Sequence, residues 1–242
     1  MTEIALKNPL ASLAIAVALI ASSPSVAKTP GTPPGNPCAK SNGNPCNGNN
    51  GNAGAQGNAG SANPPTTPLI ISRPNADRGA FIDQIGSSNR AAIEQNDPGH
   101  YARIDQDGSD NRATSTQEGT GSHYARAIQR GSDNALHITQ SGDAAQVALA
   151  EQSGEGNRMT LRQIGGSEMD GILAIQSGAS NLLDLTQNGG DNQAEIRQNG
   201  NANAALITQN GGNQLMLMQT GDNLAIAIDQ PAGQALTVTQ GR

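Results

Sequence analysis

The chain of 242 residues has one Phe, two Tyr and no Trp, and its formal net charge is −6. So few aromatic side chains exclude an ordinary aromatic core. Residues 71–242 contain 11 Arg and 19 Asp and Glu, so their formal net charge is −8. A nucleic-acid surface is excluded because there is no basic stripe to displace counterions.

The N-terminus predicts a signal peptide over residues 1–27. Leu10 to Ala21 form a twelve-residue apolar run, too short to span a bilayer comfortably and typical of an export signal. Ser25 and Ala27 supply the small residues of a cleavage site. We therefore expect export through the periplasm; an uncleaved anchor helix is the alternative.

Residues 28–70 are rich in Gly, Asn and Pro, and we expect them to be a disordered linker or recognition tail. Cys38 and Cys46, the only cysteines, lie in this segment. In an oxidising compartment a disulfide between them is possible. Two thiols without a nearby His do not favour a metal site, and no cofactor is expected.

Residues 71–242 form the third predicted region, and from Arg78 it consists of one repeat of about eleven residues. A Gln closes each of fifteen units: Gln84, Gln95, Gln106, Gln117, Gln129, Gln140, Gln152, Gln163, Gln176, Gln187, Gln198, Gln209, Gln219, Gln230 and Gln240. In twelve units a Gly follows two residues later: Gly86, Gly108, Gly119, Gly131, Gly142, Gly154, Gly165, Gly178, Gly189, Gly200, Gly211 and Gly221. Eight units carry an Asn six residues before the Gln: Asn89, Asn111, Asn134, Asn157, Asn181, Asn192, Asn203 and Asn213.

Within each unit, polar and apolar residues alternate before a Gly-Asn-Asp turn, which predicts a strand followed by a tight turn. A right-handed helical coiled coil also has an eleven-residue period. We reject it because a Gly in every unit would cost a helix about 1 kcal/mol each time.

The predicted fold is all-β: a flattened, cross-β solenoid of two sheets with about 22 residues per rung and a length of about 36 Å. Stacked Gln and Asn form amide ladders between columns of Ile and Leu, and the Gly permits positive φ at each bend. In the unit ending at Gln198, Asn192, Ala194 and Ile196 face inward, whereas Gln193, Glu195 and Arg197 face solvent. Around Ala125 and Ala127 we expect a thinner interior.

The pattern Gln187, Gly189, Asn192, Ala194, Ile196, Gln198 resembles the curlin repeat of curli fibre subunits, and this resemblance extends from Arg78 to Gln240. It implies an extracellular functional amyloid for adhesion and biofilm matrix, with the chain itself as polymer partner. It also implies a nucleator subunit and an outer-membrane secretion channel as partners. The regular C-terminal unit favours the major subunit over the nucleator.

We predict that open end rungs dock on each other, because no capping helix follows Gln240. The alternatives are a monomeric solenoid adhesin and an ice-binding protein, although the Thr residues are too irregular for an ice-binding face. Acidic side chains are dispersed one per turn, so a catalytic cluster is not expected.

Four turn acids beside Gly are interpreted as solvated groups, with a gatekeeper role against aggregation as the alternative. They are Asp110, Asp133, Asp191 and Asp222. Calcium binding is disfavoured because the period is eleven rather than nine. His100 and His123 stand where other units have Asn, which permits a pH-sensitive assembly step.

Overall fold

The computed structural model describes residues 71, 72, 74, 78–166 and 170–241. In these ranges it contains fifteen β-strands and no helix, arranged as two parallel sheets. The predicted two-sheet β-solenoid is confirmed. The predicted signal peptide, low-complexity segment and Cys38–Cys46 pair lie outside the described residues, and no described segment forms a helix able to cross a bilayer.

Successive strands alternate between the sheets, since each tight turn carries the chain across to the opposite face. Sheet A contains β1 (Gly79–Ser87), β3 (Tyr101–Ser109), β5 (Tyr124–Ser132), β7 (Gln146–Glu155), β9 (Asp170–Ala179), β11 (Gln193–Asn199), β13 (Gln214–Thr220) and β15 (Ala235–Gly241). Sheet B contains β2 (Arg90–Gln95), β4 (Arg112–Glu118), β6 (Ala135–Ser141), β8 (Arg158–Ile164), β10 (Leu182–Asn188), β12 (Ala204–Asn210) and β14 (Ala225–Gln230).

Each strand pairs in register with the strand two places later in the chain. Gln84 of β1 lies opposite Gln106 of β3, and Ile196 of β11 lies opposite Leu217 of β13. The rung length varies from 21 to 24 residues between bonded Gln pairs. The variation is absorbed in the turns, because a one-residue slip within a strand would turn its inward side chains to solvent.

The core lies between the two sheets and is aliphatic. Ala125 and Ala127 of β5 are buried, as are Leu136, Ile138 and Met159 on sheet B in the same cluster. Small side chains on sheet A are thus combined with large ones on sheet B. The interior that we expected to be thin around Ala125 is filled from the opposite sheet.

A second apolar cluster lies on the outer face of sheet A. Tyr124, Val147 and Leu173 are buried there beneath Ile71, whose backbone N–H donates to Oε1 of Gln193 at 2.9 Å. This contact corrects the expectation that Gln193 faces solvent: its side chain does point outward, but it is only 6% exposed.

Candidate functional site

Two uninterrupted columns of Gln side chains run along the solenoid, one in each sheet. In sheet A, Nε2 of each Gln donates to Oε1 of the next at 2.6–2.9 Å, from Gln84 through to Gln240. In sheet B, the same bonds run from Gln95 to Gln230 at 2.7–2.9 Å. All fifteen predicted ladder Gln side chains are therefore linked to a neighbouring rung.

The second N–H of these amides crosses to the opposite sheet. Nε2 of Gln117 donates to the carbonyl of Tyr101 at 3.0 Å, and Nε2 of Gln198 to that of Leu182 at 3.1 Å. One side chain thus ties a rung both to its neighbour and to the facing sheet. Because the interior excludes water, leaving such an amide without hydrogen-bond partners would lower the stability of the fold.

The eight predicted Asn residues divide between the two sheets. Six of them form a pure Asn column beside sheet B: Asn89, Asn111, Asn134, Asn157, Asn181 and Asn203. In each of these steps, Oδ1 of one Asn accepts the backbone N–H of the next at 3.0–3.1 Å. The Asn Nδ2 reaches a turn carbonyl one rung further on, as from Asn111 to Gly131 at 2.8 Å.

The corresponding column beside sheet A is chemically mixed. In chain order it contains His100, His123, Gln146, Asp170, Asn192, Asn213 and Gln234. The sequence pattern identified only the two Asn and the two His in it, because Gln146, Asp170 and Gln234 depart from the consensus residue. The signal that could have found them is their position, six residues before Gln152, Gln176 and Gln240.

The imidazole rings of His100 and His123 are stacked, with centroids 4.7 Å apart and planes 9° from parallel. Both side chains are buried. Burial lowers the pKa of His123, and the positive charge of a protonated His100 would lower it further. Burial therefore favours the neutral ring of His123 at this rung of the column.

Asp170 is a carboxyl group in this amide column. It is fully buried, and burial raises its pKa to about 7, even though the backbone N–H and the Nδ2 of Asn192 donate to its Oδ1 at 2.9 and 3.3 Å. Its Oδ2 and the Oε1 of Gln146, its partner in the neighbouring strand, are buried without a hydrogen-bond donor. A proton on Asp170 supplies the donor that these two oxygens lack.

All twelve predicted turn glycines have positive φ, from 72° at Gly165 to 152° at Gly142. At Gly131, a Cβ would lie 2.1 Å from the carbonyl oxygen of Gly154 in the next rung. The glycines therefore provide both the bend and the space for adjacent turns to stack. Asp110, Asp133 and Asp191 also have positive φ in these turns.

Several charged side chains form ion pairs on the outer face of sheet A. Arg103 lies 2.7 Å from Asp105, and Arg126 lies 3.4 Å from the same carboxylate. Arg130 pairs with Glu151 one strand further on. These partly exposed pairs add little stability, since solvent screens them.

A shallow open groove of about 770 Å³ follows one column of turns, lined by glycines and small residues from Gly86 to Ala179. Glu155 is the one acidic residue in its lining. Among residues 78–166 and 170–241 there is no group of three His, Cys, Asp or Glu placed to hold a metal ion. The groove offers neither an enclosed cavity nor paired carboxylates.

The two ends of the stack are open in the described structure. At the N-terminal end, Ile82 points inward from β1 but is 48% exposed. At the C-terminal end, Leu236 of β15 is 38% exposed. Equivalent residues within the stack, such as Ile104 and Leu215, are exposed by no more than 1%.

A comparison with protein-family models matches residues 178–211 to the curlin associated repeat. The matched stretch contains β10, β11 and β12, together with the ladder residues Gln187, Gln198 and Gln209. A comparison with curated proteins finds no significant match. The repeat match and the β-solenoid fold both indicate a structural protein rather than an enzyme.

Proposed function

We propose that this chain, a β-solenoid whose residues 178–211 match the curlin associated repeat, is the structural subunit of an extracellular, curli-like amyloid fibre. Copies stack end to end, and the fibre serves adhesion and the biofilm matrix. The observation that carries the proposal is the exposure of inward-pointing aliphatic side chains at both ends of the stack, 48% at Ile82 and 38% at Leu236. Burial of such surface is the main driving force of association.

The end strands match when β1 of one copy is placed on β15 of another in the register used throughout sheet A. Val238 then lies opposite Ile82, Leu236 opposite Ala80, and Gln240 opposite Gln84. Aliphatic side chains meet aliphatic side chains, and the amide column continues. The backbone groups at both edges gain the partners that interior strands already have.

The amide columns also give the stack a direction. In both sheets the Gln Nε2 donates toward the C-terminal end, as from Gln219 to Gln240 at 2.8 Å. The C-terminal rung therefore presents donors and the N-terminal rung presents acceptors. Head-to-tail stacking satisfies both, whereas stacking two like ends would place donor against donor or acceptor against acceptor.

The finer parts of the proposal follow the curlin resemblance. The chain is exported through the periplasm and leaves by an outer-membrane channel that reads residues 28–70, and a nucleator subunit starts the fibre. We assign this chain to the major subunit, because its C-terminal strand ALTVTQG is regular and uncharged.

The experiment compares two Leu-to-Asp variants of residues 28–242 with the unmodified chain. Leu236→Asp places a carboxylate on the docking end, whereas Leu206→Asp places one on the outer face of β12, where Leu206 is 57% exposed. Seeded elongation should slow at least about tenfold for Leu236→Asp, since desolvating a carboxylate costs well over 1.4 kcal/mol. Leu206→Asp should elongate normally. Equal slowing, or monomers without any fibre in all three proteins, would contradict end-to-end stacking.

A further inference from the structure

Within residues 78–166 and 170–241, the two sheets contain different numbers of strands, eight in sheet A and seven in sheet B. Both the first strand, β1, and the last, β15, belong to sheet A. When β1 of one copy pairs with β15 of the next, about 4.8 Å separates them, but β2 and β14 are left about 9.6 Å apart. Each joint of the proposed fibre therefore lacks one strand in sheet B.

The missing strand would be bordered by half-buried aliphatic side chains. Ile226 and Ile228 of β14 lie on one side, and Ala91 and Ile93 of β2 lie on the other. An empty slot there would leave two sheet edges unpaired inside the fibre and let water into its core. This cost favours insertion of an extended segment that has aliphatic side chains at the inward positions and can reach the gap between β14 and β2.

The chain carries such a segment just before β1, with the sequence Leu69-Ile70-Ile71-Ser72-Arg73. Arg73 stands eleven residues before Gln84, which is the repeat period, and so occupies the position of a ladder Gln. Counting back from it, Leu69 and Ile71 fall on the two inward positions. They align with Ile226 and Ile228 of β14 and with Ala91 and Ile93 of β2.

The connectivity places this segment in the correct sheet. Strands alternate between the sheets along the chain, so a strand that precedes β1 belongs to sheet B, next to β2. Asn75 stands two residues after Arg73, where the repeat has its turn Gly, and Asn tolerates positive φ better than most residues. Arg73 can donate to Oε1 of Gln95, the acceptor at the N-terminal end of the sheet B column. It offers no acceptor to Nε2 of Gln230, so the sheet B amide column is interrupted at each joint and the inserted strand is held by its backbone pairing and its aliphatic side chains.

In the single copy, Ile71 lies elsewhere, on the outer face of sheet A. The site exists because Gly171 has no side chain: a Cβ there would lie 2.8 Å from Cβ of Ile71. The contact consists of one buried aliphatic side chain and one hydrogen bond to Gln193. This is a smaller contact than two inward side chains and two strand edges would make in the joint.

We propose that Ile71 leaves the outer face during assembly and that residues 69–73 form the missing strand of sheet B, between β2 of their own copy and β14 of the neighbouring copy. This inference rests on the proposed fibre function. At each joint, the copy that contributes β1 and β2 also supplies the sheet B strand that pairs with β14 of the other copy. The partner of the β14 edge is therefore the segment preceding β1 of a second copy of this chain.

The test uses disulfides between copies, in chains whose native Cys38 and Cys46 are replaced by Ser. Ile70, Ala92 and Ala227 occupy the same outward column in the proposed register, and Ala92 and Ala227 are exposed. Chains with Ile70→Cys are co-assembled with chains with Ala227→Cys. In the matched control, Ala92→Cys replaces Ile70→Cys. The readout is the disulfide-linked heterodimer recovered from fibres after mild oxidation.

A disulfide requires Cα atoms about 4.4–6.8 Å apart, so adjacent strands can be linked and strands about 9.6 Å apart cannot. We expect the Ile70→Cys and Ala227→Cys mixture to give at least about tenfold more heterodimer than the control mixture. Fibres in which the Ala92→Cys and Ala227→Cys chains crosslink instead, or in which neither mixture does, would overturn the inserted strand while leaving the fibre intact. Absence of any cross-β fibre would overturn the proposed function itself.

Discussion

At the residue scale, Asp170 is the position where the amide column is chemically least regular. Its folded pKa of about 7 lies above the ordinary value of 3.8 because the side chain is buried. The folded chain therefore binds a proton that the unfolded chain has already released at mildly acidic pH. This stabilisation is fully present below about pH 4 and is lost as the pH rises through about 7.

Replacing Asp170 with Asn should remove this pH dependence, because Asn is the residue that fills the next two rungs of the column. Above pH 7 the variant should be more stable than the unmodified chain by about 2–4 kcal/mol, and the difference should shrink toward pH 4. Denaturant unfolding from pH 4 to 8 measures it. His123 has a lowered pKa and acts in the opposite direction, but it is common to both proteins. A difference that stays constant with pH would show that Asp170 is ionised throughout.

Turn glycines allow a second prediction at this scale. Gly131→Ala should destabilise the fold by more than about 3 kcal/mol, since it combines a φ of 105° with a Cβ placed 2.1 Å from a backbone oxygen. Gly165→Ala is the matched control, with a φ of 72° and no atom within 4 Å of the added Cβ. It should cost only about 1–2 kcal/mol. Equal losses of unfolding free energy in the two variants would show that the glycines are needed for their positive φ and not for the close stacking of adjacent turns.

At the scale of the strand, ladder position decides what a Gln contributes. Gln152 accepts from Gln129 at 2.8 Å and donates to Gln176 at 2.9 Å, with all three side chains buried. Gln240 lies on the open end and bonds to only one neighbouring ladder residue in the described structure, Gln219. The same side chain should therefore matter for folding in the middle of the stack and for docking at its end.

Gln152→Ala should lower the unfolding free energy by about 2–4 kcal/mol, because it leaves a buried donor and a buried acceptor without partners. Gln240→Ala should cost less than about 1 kcal/mol but should slow seeded elongation. Denaturant unfolding and elongation rates, measured on both variants, separate the two effects. If Gln240→Ala destabilised the fold as strongly as Gln152→Ala, the end rung would not be open.

Strand positions could be predicted from the sequence because the alternation and the turn glycines recur with few exceptions. The Gln columns follow from the same spacing. The assignment of Asn192 and Asn213 to a different column from the other six Asn requires knowing which strands share a sheet. The buried state of Gln193 could not be predicted, since it depends on Ile71, 122 residues away in the chain.

At the scale of the whole molecule, the solenoid ends in two open rungs. Each interior rung makes hydrogen bonds and aliphatic contacts with a rung on both sides, and within the described residues the end rungs do so on one side only. Because the donors of both Gln columns point toward the C-terminal end, the stack is polar. A fibre built from it should grow by addition of subunits in one orientation.

Fibre diffraction from aligned fibres of residues 28–242 tests the central claim most directly. End-to-end stacking predicts a meridional reflection at about 4.8 Å, along the fibre axis, and an equatorial reflection near 10 Å from the spacing of the two sheets. A sample that stays monomeric after long incubation at high concentration, or fibres whose strand spacing is not along the axis, would contradict the claim.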